Sequence, residues 1–258
     1  MPRPIALITG ASAGLGNTFA HKLAPTYDLV LVARSIDKLE QLAKELNAQH
    51  GAECEVLGVD LANDPSPAEA RLHQGDRPVD LLVNNAGFGT FGEFGTLPLD
   101  EEIREIQLNV IALVRLTHAA IVPMVGRARG AIINVSSVAA FQPGPYEATY
   151  AATKAFVTSF SQAIHEEVRG RGVRVLALCP GFTKTEFQER AAVPASEVPG
   201  PLWQTAEQVV DAALAALPGT GAICVPGAHN KAAVVLAHVA PPIASRRLAG
   251  FFGKRLSH

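Results

Sequence analysis

The stretch Ile5–Gly16, IALITGASAGLG, decides the fold of this chain. Its first five residues predict a buried strand, and a turn containing Gly10, Gly14 and Gly16 leads from that strand into a helical pattern. Glycine permits a positive φ in a tight turn, and its missing Cβ lets the backbone approach a diphosphate. The following helix presents free N–H groups and a positive dipole end to such an anion. The spacing differs from G-x-G-x-x-G, so a turn that merely links strand and helix is the alternative.

Short apolar runs alternate with helical patterns along the rest of the chain. The predicted strands are Ile5–Thr9, Tyr27–Ala33, Cys54–Val59, Asp80–Asn84, Ala131–Ser136, Val173–Cys179 and Gly221–Val225. Their nearly continuous apolar character is typical of strands buried on both faces. Thr205-Ala206-Glu207-Gln208 is a capping box that predicts a helix burying Val209, Ala213 and Leu217. The order predicts an α/β fold: one doubly wound parallel sheet of about seven strands in a single domain over residues 1–258.

Composition limits the classes of function. Of the 258 residues, 48% are hydrophobic and 18% charged, which excludes a disordered chain, and a net charge of −2 argues against nucleic-acid binding. The three cysteines, Cys54, Cys179 and Cys224, lie in apolar runs and are expected to be reduced. We find neither a signal-peptide pattern nor about 18 uninterrupted apolar residues. These features favour a cytoplasmic protein.

Polar residues end the second, third and fourth strands, where a doubly wound sheet binds nucleotides. Arg34 favours a ribose 2′-phosphate, whereas an acidic residue would bind the 2′-hydroxyl; a solvated arginine is the alternative. Asp60 either accepts from an adenine amino group or caps the next helix. Asn84 and Asn85 can bond backbone groups of neighbouring strands. A purely structural turn is an equally good interpretation of Asn84. Gly87 allows close approach of the ribose.

Tyr150 and Lys154 open a strongly helical segment, and their spacing of four residues places them on one face. A free tyrosine has a pKa of about 10. A nearby ammonium, together with an oxidised nicotinamide, is expected to lower that pKa. Tyr150 can then give a proton to a forming alkoxide or take one from an alcohol. Ser137, after the preceding strand, would hold the carbonyl oxygen.

Taken together, these pieces resemble the short-chain dehydrogenase/reductase family, in its single-domain branch of about 250 residues. The resemblance runs from about residue 5 to about residue 227. The matching motifs are TGASAGLG at Thr9–Gly16, DL at Asp60-Leu61, NNAG at Asn84–Gly87, Asn109, NVSS at Asn134–Ser137, YAATK at Tyr150–Lys154 and PGFTKT at Pro180–Thr185. The resemblance implies a Rossmann-like fold, an NAD(P) cofactor, and a homodimer or homotetramer formed through the Asn109 and Tyr150 helices.

The resemblance also implies a tetrad of Asn109, Ser137, Tyr150 and Lys154. Asn109 would hold a water in a relay to Lys154, although a solvent-facing polar residue is the alternative from sequence alone. Ser137 would position the substrate, Tyr150 would be the acid/base, and Lys154 would bond the nicotinamide ribose. The residues expected to bind the cofactor are Gly10, Ser12, Ala13, Gly14, Leu15, Gly16, Arg34, Asp60, Leu61, Asn85, Ala86, Gly87, Tyr150, Lys154, Pro180, Gly181 and Thr183. No metal site is expected.

The sequence therefore predicts an oxidoreductase that moves a hydride between a nicotinamide, NADP(H) in preference to NAD(H), and a ketone or secondary alcohol. A nicotinamide-sensing module would lack the tyrosine or lysine, and an isomerase or dehydratase would need a substrate domain for which there is little room. The segment of residues 182–204 and the loop Phe141–Pro145 are expected to build an apolar or acyl-type substrate pocket. Its candidate wall residues, each equally a core residue, are Phe88, Phe91, Phe94, Phe141, Phe187 and Trp203.

The C-terminal tail of residues 228–258 is basic and apolar. No acidic residue follows Asp211, and the basic residues of the tail are Lys231, Arg246, Arg247, Lys254 and Arg255. Two interpretations stay open. The tail forms helices packed on the domain or on a sister subunit, or it contacts an anionic membrane surface or an acidic acyl carrier.

Overall fold

A seven-stranded parallel sheet forms the centre of the fold. The structure is a computed structural model that describes residues 2–187 and 199–239. The strands of the sheet are β1 (Ile5–Thr9), β2 (Asp28–Ala33), β3 (Cys54–Gly58), β4 (Val79–Asn84), β5 (Gly130–Val135), β6 (Val173–Leu178) and, after two short strands described below, β9 (Ile223–Cys224). Their order is β3-β2-β1-β4-β5-β6-β9. All five residues of β1 are buried, as the apolar run predicts.

Helices cover both faces of this sheet. They are α1 (Gly14–Leu23), α2 (Ile36–His50), α3 (Ser66–Leu72), α4 (Leu99–Ile106), a π-helical segment (Gln107–Ala112), α5 (Leu113–Gly126), α6 (Ala148–Glu167), α7 (Ala206–Ala216) and α8 (Ala228–Val239). On one face Phe19, Leu39 and Val209 belong to one buried apolar cluster. On the other face Leu72 and Met124 belong to a second cluster. The expected α/β class and the doubly wound arrangement are confirmed.

The strand order reverses between β1 and β4, which are neighbours in the sheet. In doubly wound sheets, ligands bind at this reversal, outside the carboxyl ends of the strands. The Gly-rich turn follows β1, and Asn85–Gly87 follow β4. The two motifs therefore meet at the place where a nucleotide is expected.

The structure corrects several details of the sequence prediction. Thr183–Lys184 (β7) and Gln204–Thr205 (β8) pair as a small parallel sheet inside the segment that lacked a clear pattern. The last strand of the main sheet has two residues rather than five. The capping box at Thr205 and Gln208 is confirmed, with both hydrogen bonds present. Residues 188–198 of the predicted substrate-covering segment and residues 240–258 of the predicted tail lie outside the described residues.

One helical stretch of the described residues, Leu99–Gly126, is long and apolar enough to cross a membrane by length and composition. Its Leu116, Ala120 and Met124 are buried and belong to the second apolar cluster. Its Asn109 is buried in a polar network. Packing in the core of the fold therefore accounts for the apolar character of its buried part.

Candidate active site

The Gly-rich turn has the backbone that a diphosphate site needs. Gly10 and Gly14 have φ of 67° and 53°, in the left-handed region that favours glycine. A Cβ on Gly16 would collide with the Gly10 carbonyl. Helix α1 begins at Gly14 without a side-chain cap from Ala13 and without an acidic residue in its first turn. Its first N–H groups and its dipole are therefore available to an anion, so the turn fits a dinucleotide diphosphate.

Thr9 and Asn85 hold this turn against the end of β4. Asn85 Nδ2 donates to the Thr9 carbonyl at 2.9 Å and to the Gly10 carbonyl at 3.4 Å. The Thr9 hydroxyl accepts from the N–H groups of Asn85 and Ala86, both at 2.9 Å. Asn85 thus bonds a neighbouring backbone as predicted. Asn84 does not: its Nδ2 donates to the side chains of Asn134, at 2.9 Å, and Thr117, at 3.1 Å.

Arg34 and Asp60 lie at the same edge of the sheet. Arg34 is exposed just beyond β2, and it makes no ion pair with any residue that the structure describes. Asp60 accepts from the Ala62 N–H at 3.2 Å and forms an ion pair with Arg104 at 2.9 Å. It therefore closes a turn and does not cap α3, which begins only at Ser66. Because Arg104 already engages its carboxylate, a contact of Asp60 with adenine stays a prediction.

The other expected cofactor residues border the same edge. The Leu61 side chain is buried in the core. After β6, Pro180 accepts at its carbonyl from the Val138 N–H at 2.9 Å, and the Thr183 hydroxyl donates to the Gly181 carbonyl at 3.0 Å. The first of these bonds ties the segment after β6 to the segment after β5, which carries Ser137. The structure thus brings the predicted nicotinamide side of the site next to the predicted catalytic residues.

Ser137, Tyr150 and Lys154 meet at the carboxyl ends of β5 and β6. The Ser137 hydroxyl lies close enough to the Tyr150 phenol to lower its pKa, and the Lys154 Nζ lies 5.6 Å from the centroid of the Tyr150 ring. Lys154 is 5% exposed, and its Nζ donates to the Val135 carbonyl at 2.9 Å. The predicted spacing on one helical face is confirmed. A hydroxyl, a phenol and an ammonium therefore converge on one point.

The expected lowering of the Tyr150 pKa includes an oxidised nicotinamide and stays a prediction, whereas the protein groups by themselves raise this pKa. Burial raises the pKa of Tyr150, and the charges of Glu147, Glu105 and Cys179 raise it further, while only the Ser137 hydroxyl lowers it. Burial also lowers the pKa of Lys154 to about 8. Desolvation is the largest cause of both shifts. Tyr150 is thus protonated at neutral pH and placed to donate a proton.

Asn109 lies inside the fold and not on its surface. It is 1% exposed in the π-helical segment, a local irregularity that often marks functional sites. Its Nδ2 donates to the Phe88 carbonyl at 2.8 Å and to the Thr153 hydroxyl at 3.2 Å, and its Oδ1 accepts from the Phe88 N–H at 3.2 Å. The solvent-facing alternative is therefore wrong. Its role in a water relay stays a prediction.

Three acidic residues near the tetrad were missed by the sequence analysis. Glu105 is fully buried and Glu102 is 4% exposed, and both accept from the Thr90 hydroxyl. Glu147 is the N-terminal flanking residue of α6, and burial raises the pKa values of both Glu105 and Glu147 to about 7. No motif marks these residues. An acidic side chain at the start of a helix ordinarily predicts a solvated helix end.

The aromatic residues proposed for the pocket have different surroundings. The ring centroids of Phe187 and Tyr150 are 5.6 Å apart, and those of Phe182 and Trp203 are 5.7 Å apart. Phe91 packs against Tyr146 at 6.3 Å. Phe94 is 62% exposed, so it is neither a core residue nor an enclosed wall. Phe187 is thus the aromatic side chain placed next to the predicted acid/base.

The family model for short chain dehydrogenases matches residues 4–194. The chain belongs to the short-chain dehydrogenase/reductase family. It is 35% identical over 187 residues to a very-long-chain 3-oxoacyl-CoA reductase of Homo sapiens, a match that covers 70% of this chain. That match spans about 60% of the length of the reductase.

Solved structures of this family superpose on most of the chain. A short-chain dehydrogenase from Sphingobium yanoikuyae in complex with NADPH is 35% identical, with a TM-score of 0.82 over 92% of this chain and 96% of that one. An alcohol dehydrogenase from Comamonas testosteroni, described as specific for bulky-bulky ketones, is 31% identical, with a TM-score of 0.79 over 92% of this chain and 93% of that one. The predicted short-chain dehydrogenase/reductase fold is confirmed.

Proposed function

We propose that this short-chain dehydrogenase/reductase is an NADP(H)-dependent oxidoreductase that interconverts a ketone and a secondary alcohol, with Tyr150 as general acid/base. The convergence of Ser137, Tyr150 and Lys154 beside the cofactor edge of the sheet carries the proposal. A bound nicotinamide supplies or accepts the hydride. In reduction, Ser137 holds the carbonyl oxygen and the Tyr150 Oη gives its proton to that oxygen as the alkoxide forms. Lys154, buried beside the ring, favours the tyrosinate that remains.

The preference for NADP(H) is supported by Arg34. The exposed Arg34 guanidinium at the end of β2, which has no ion pair within residues 2–187 and 199–239, matches a 2′-phosphate in charge and geometry, and no acidic residue stands there to bind a 2′-hydroxyl. The relative from Sphingobium yanoikuyae, solved with NADPH, is consistent with this preference.

The substrate class is apolar or acyl-type. Phe187 beside Tyr150 supports an apolar wall at the reacting carbon. The similarity to a 3-oxoacyl-CoA reductase and to a dehydrogenase of bulky ketones favours the same class. The test is NADPH oxidation with ketones and 3-oxoacyl thioesters of increasing chain length. Turnover that improves with chain length supports the proposal, and no turnover with any carbonyl compound contradicts it.

The two other functions weighed from the sequence are disfavoured. A nicotinamide sensor has no need of a phenol, a hydroxyl and an ammonium converging on one point. An isomerase or dehydratase would release product with no net oxidation of NADPH. The stoichiometry of the same assay separates it from a reductase, since a reductase consumes one cofactor for each alcohol formed.

The chain is also proposed to form a homo-oligomer through the face shared by α4, the π-helical segment and α6. This face holds an open groove of about 440 Å³ lined mainly by apolar side chains, among them Ile106, Val110 and Phe156. Leu99 and Ile103 on the same side are 66% and 49% exposed. Such a patch on two copies can bury itself through a two-fold contact.

We expect Phe156→Arg to weaken this assembly, because a charge would be buried at the contact. Light scattering should give a dimer or tetramer for the wild type and a smaller species for the variant. Ile36→Arg, at an exposed apolar residue of α2 outside this face, should keep the wild-type mass. A monomeric wild type would contradict the proposal.

The tail is proposed to contact an anionic surface or an acidic carrier of the substrate. Val235, Leu236 and Val239 of α8 are each at least 60% exposed, and the basic sequence from Arg246 onward follows them. We expect the protein to float with anionic but not neutral vesicles, less at high salt, and not after truncation beyond Pro241. Failure to bind anionic vesicles at low salt would indicate that the tail packs on protein. We would then propose a cytoplasmic protein without membrane contact.

A further inference from the structure

Glu105 is a fully buried carboxylate beside the catalytic residues. It accepts from the Thr90 N–H at 3.1 Å, from the Thr90 hydroxyl at 3.1 Å, and from the Asn109 Nδ2 at 3.4 Å. No basic side chain of the described residues forms an ion pair with it. A neutral side chain could accept these same hydrogen bonds without the cost of burying a charge. The carboxylate therefore needs an explanation other than stability.

Hydrogen bonds connect Glu105 to the tetrad. The Asn109 Nδ2, which donates to Glu105, also donates to the Thr153 hydroxyl. The Thr153 hydroxyl in turn donates to the Tyr150 carbonyl at 2.8 Å. At Gly87, an added Cβ would lie 2.9 Å from the Asn109 Oδ1 and 3.5 Å from the Lys154 Nζ. The amide of Asn109 and the ammonium of Lys154 therefore border the same space; the Phe88 backbone holds that amide, and Glu105 accepts from it.

The charge of Glu105 also reaches both titrating catalytic groups. It raises the pKa of Lys154 and the pKa of Tyr150. The ionisable groups that act on Glu105 itself are Glu102 on its own helix and Lys154 on α6. Burial, reinforced by Glu102, brings the pKa of Glu105 to about 7. Glu102 has no such effect on Lys154 or Tyr150, so the two buried carboxylates differ in their reach.

We propose that Glu105 is a positioning residue of the active site: it accepts a hydrogen bond from the Asn109 amide, and its negative charge favours the ammonium form of Lys154 and the phenol form of Tyr150. This inference rests on the proposed function. It assigns to α4 a fifth polar group that acts through Asn109, Lys154 and Tyr150 rather than on the substrate. It also makes the protonation of Glu105 part of the pH dependence of turnover.

The test is Glu105→Gln, which keeps the shape and an acceptor for the Thr90 N–H but removes the charge. In carbonyl reduction the alkaline limb of kcat/KM reports loss of the Lys154 proton, because the Lys154 pKa of about 8 lies below the raised pKa of Tyr150. Without the negative charge this limb should move to lower pH by roughly one unit. Glu102→Gln is the matched control: it removes a neighbouring buried carboxylate that also bonds Thr90, and its alkaline limb should stay at the wild-type position. An alkaline limb of kcat/KM at the same pH in the wild type and in Glu105→Gln would overturn the inference.

A second readout needs no turnover. A carboxyl whose pKa rises from 4.5 to about 7 on folding stabilises the folded chain most at low pH, and this contribution is lost as pH rises from about 4.5 to 7. Glu147 titrates alike in the wild type and in Glu105→Gln, so its contribution cancels from the difference in Tm. Lys154 stays protonated in both the folded and the unfolded chain below about pH 7. The Tm of the wild type minus that of Glu105→Gln should therefore fall between pH 5 and pH 7.

The two readouts separate the inference from the proposed function. A Tm difference that does not vary with pH would overturn the electrostatic role of Glu105 even in an active enzyme. A wild type without any turnover would refute the proposed function, yet the pH dependence of its melting would still report whether Glu105 titrates as inferred.

Discussion

Tyr150→Phe is expected to lower turnover by about 100-fold or more, the scale of general acid catalysis by a positioned side chain. The substitution removes only the phenolic oxygen, so the proton that would be transferred is lost while the ring can still pack on Phe187. Because the diphosphate edge is formed by other residues, the cofactor should bind with nearly unchanged affinity. Measuring kcat with the best carbonyl substrate and the Kd of NADPH by fluorescence checks both statements.

The matched control is Tyr27→Phe. Tyr27 is half-buried next to the start of β2, at the opposite edge of the sheet from the site, and it too has a pKa raised by burial. Loss of its oxygen should leave kcat unchanged. If Tyr150→Phe kept near-normal turnover with a confirmed substrate, the assignment of the acid/base would be refuted. Comparable losses in both variants would instead point to a general effect on folding.

Arg34→Asp is expected to reverse the cofactor preference. A charge-assisted contact contributes about 1.5–3 kcal/mol, or roughly 10–150-fold in affinity, which the wild type gives to NADPH over NADH. The introduced carboxylate would repel a 2′-phosphate and accept from a 2′-hydroxyl, so NADH should become the better cofactor. The measurement is the Kd of each cofactor at one fixed ionic strength, since exposed charges are screened by salt.

Lys44→Asp controls for the change in charge. Lys44 is exposed further along α2, so the variant has the same net charge as Arg34→Asp without altering the end of β2. The preference of Lys44→Asp for NADPH over NADH should match that of the wild type. A wild type that bound NADPH and NADH equally would count against the role of Arg34 and would leave the hydride-transfer proposal intact.

The sequence by itself determined the architecture and the order of the site. Continuous apolar runs such as Ile5–Thr9 predict strands buried on both faces, because only helices on both sides of a parallel sheet can cover them. The Gly-rich turn and the spacing of Tyr150 and Lys154 depend on local backbone geometry, which neighbouring residues specify. For that reason these features could be predicted from one chain without a structure.

Only the tertiary structure decided the electrostatics of the site and the roles of residues outside the motifs. The Tyr150 pKa depends on burial and on Glu105, which approaches it through packing, in addition to Glu147 three residues earlier in the chain. The pairing of Asp60 with Arg104, 44 positions apart in the chain, and the burial of Asn109 are likewise contacts between distant segments. Desolvation and charge act through space, so they follow from which groups the fold brings together, and neither periodicity nor spacing along the chain encodes them.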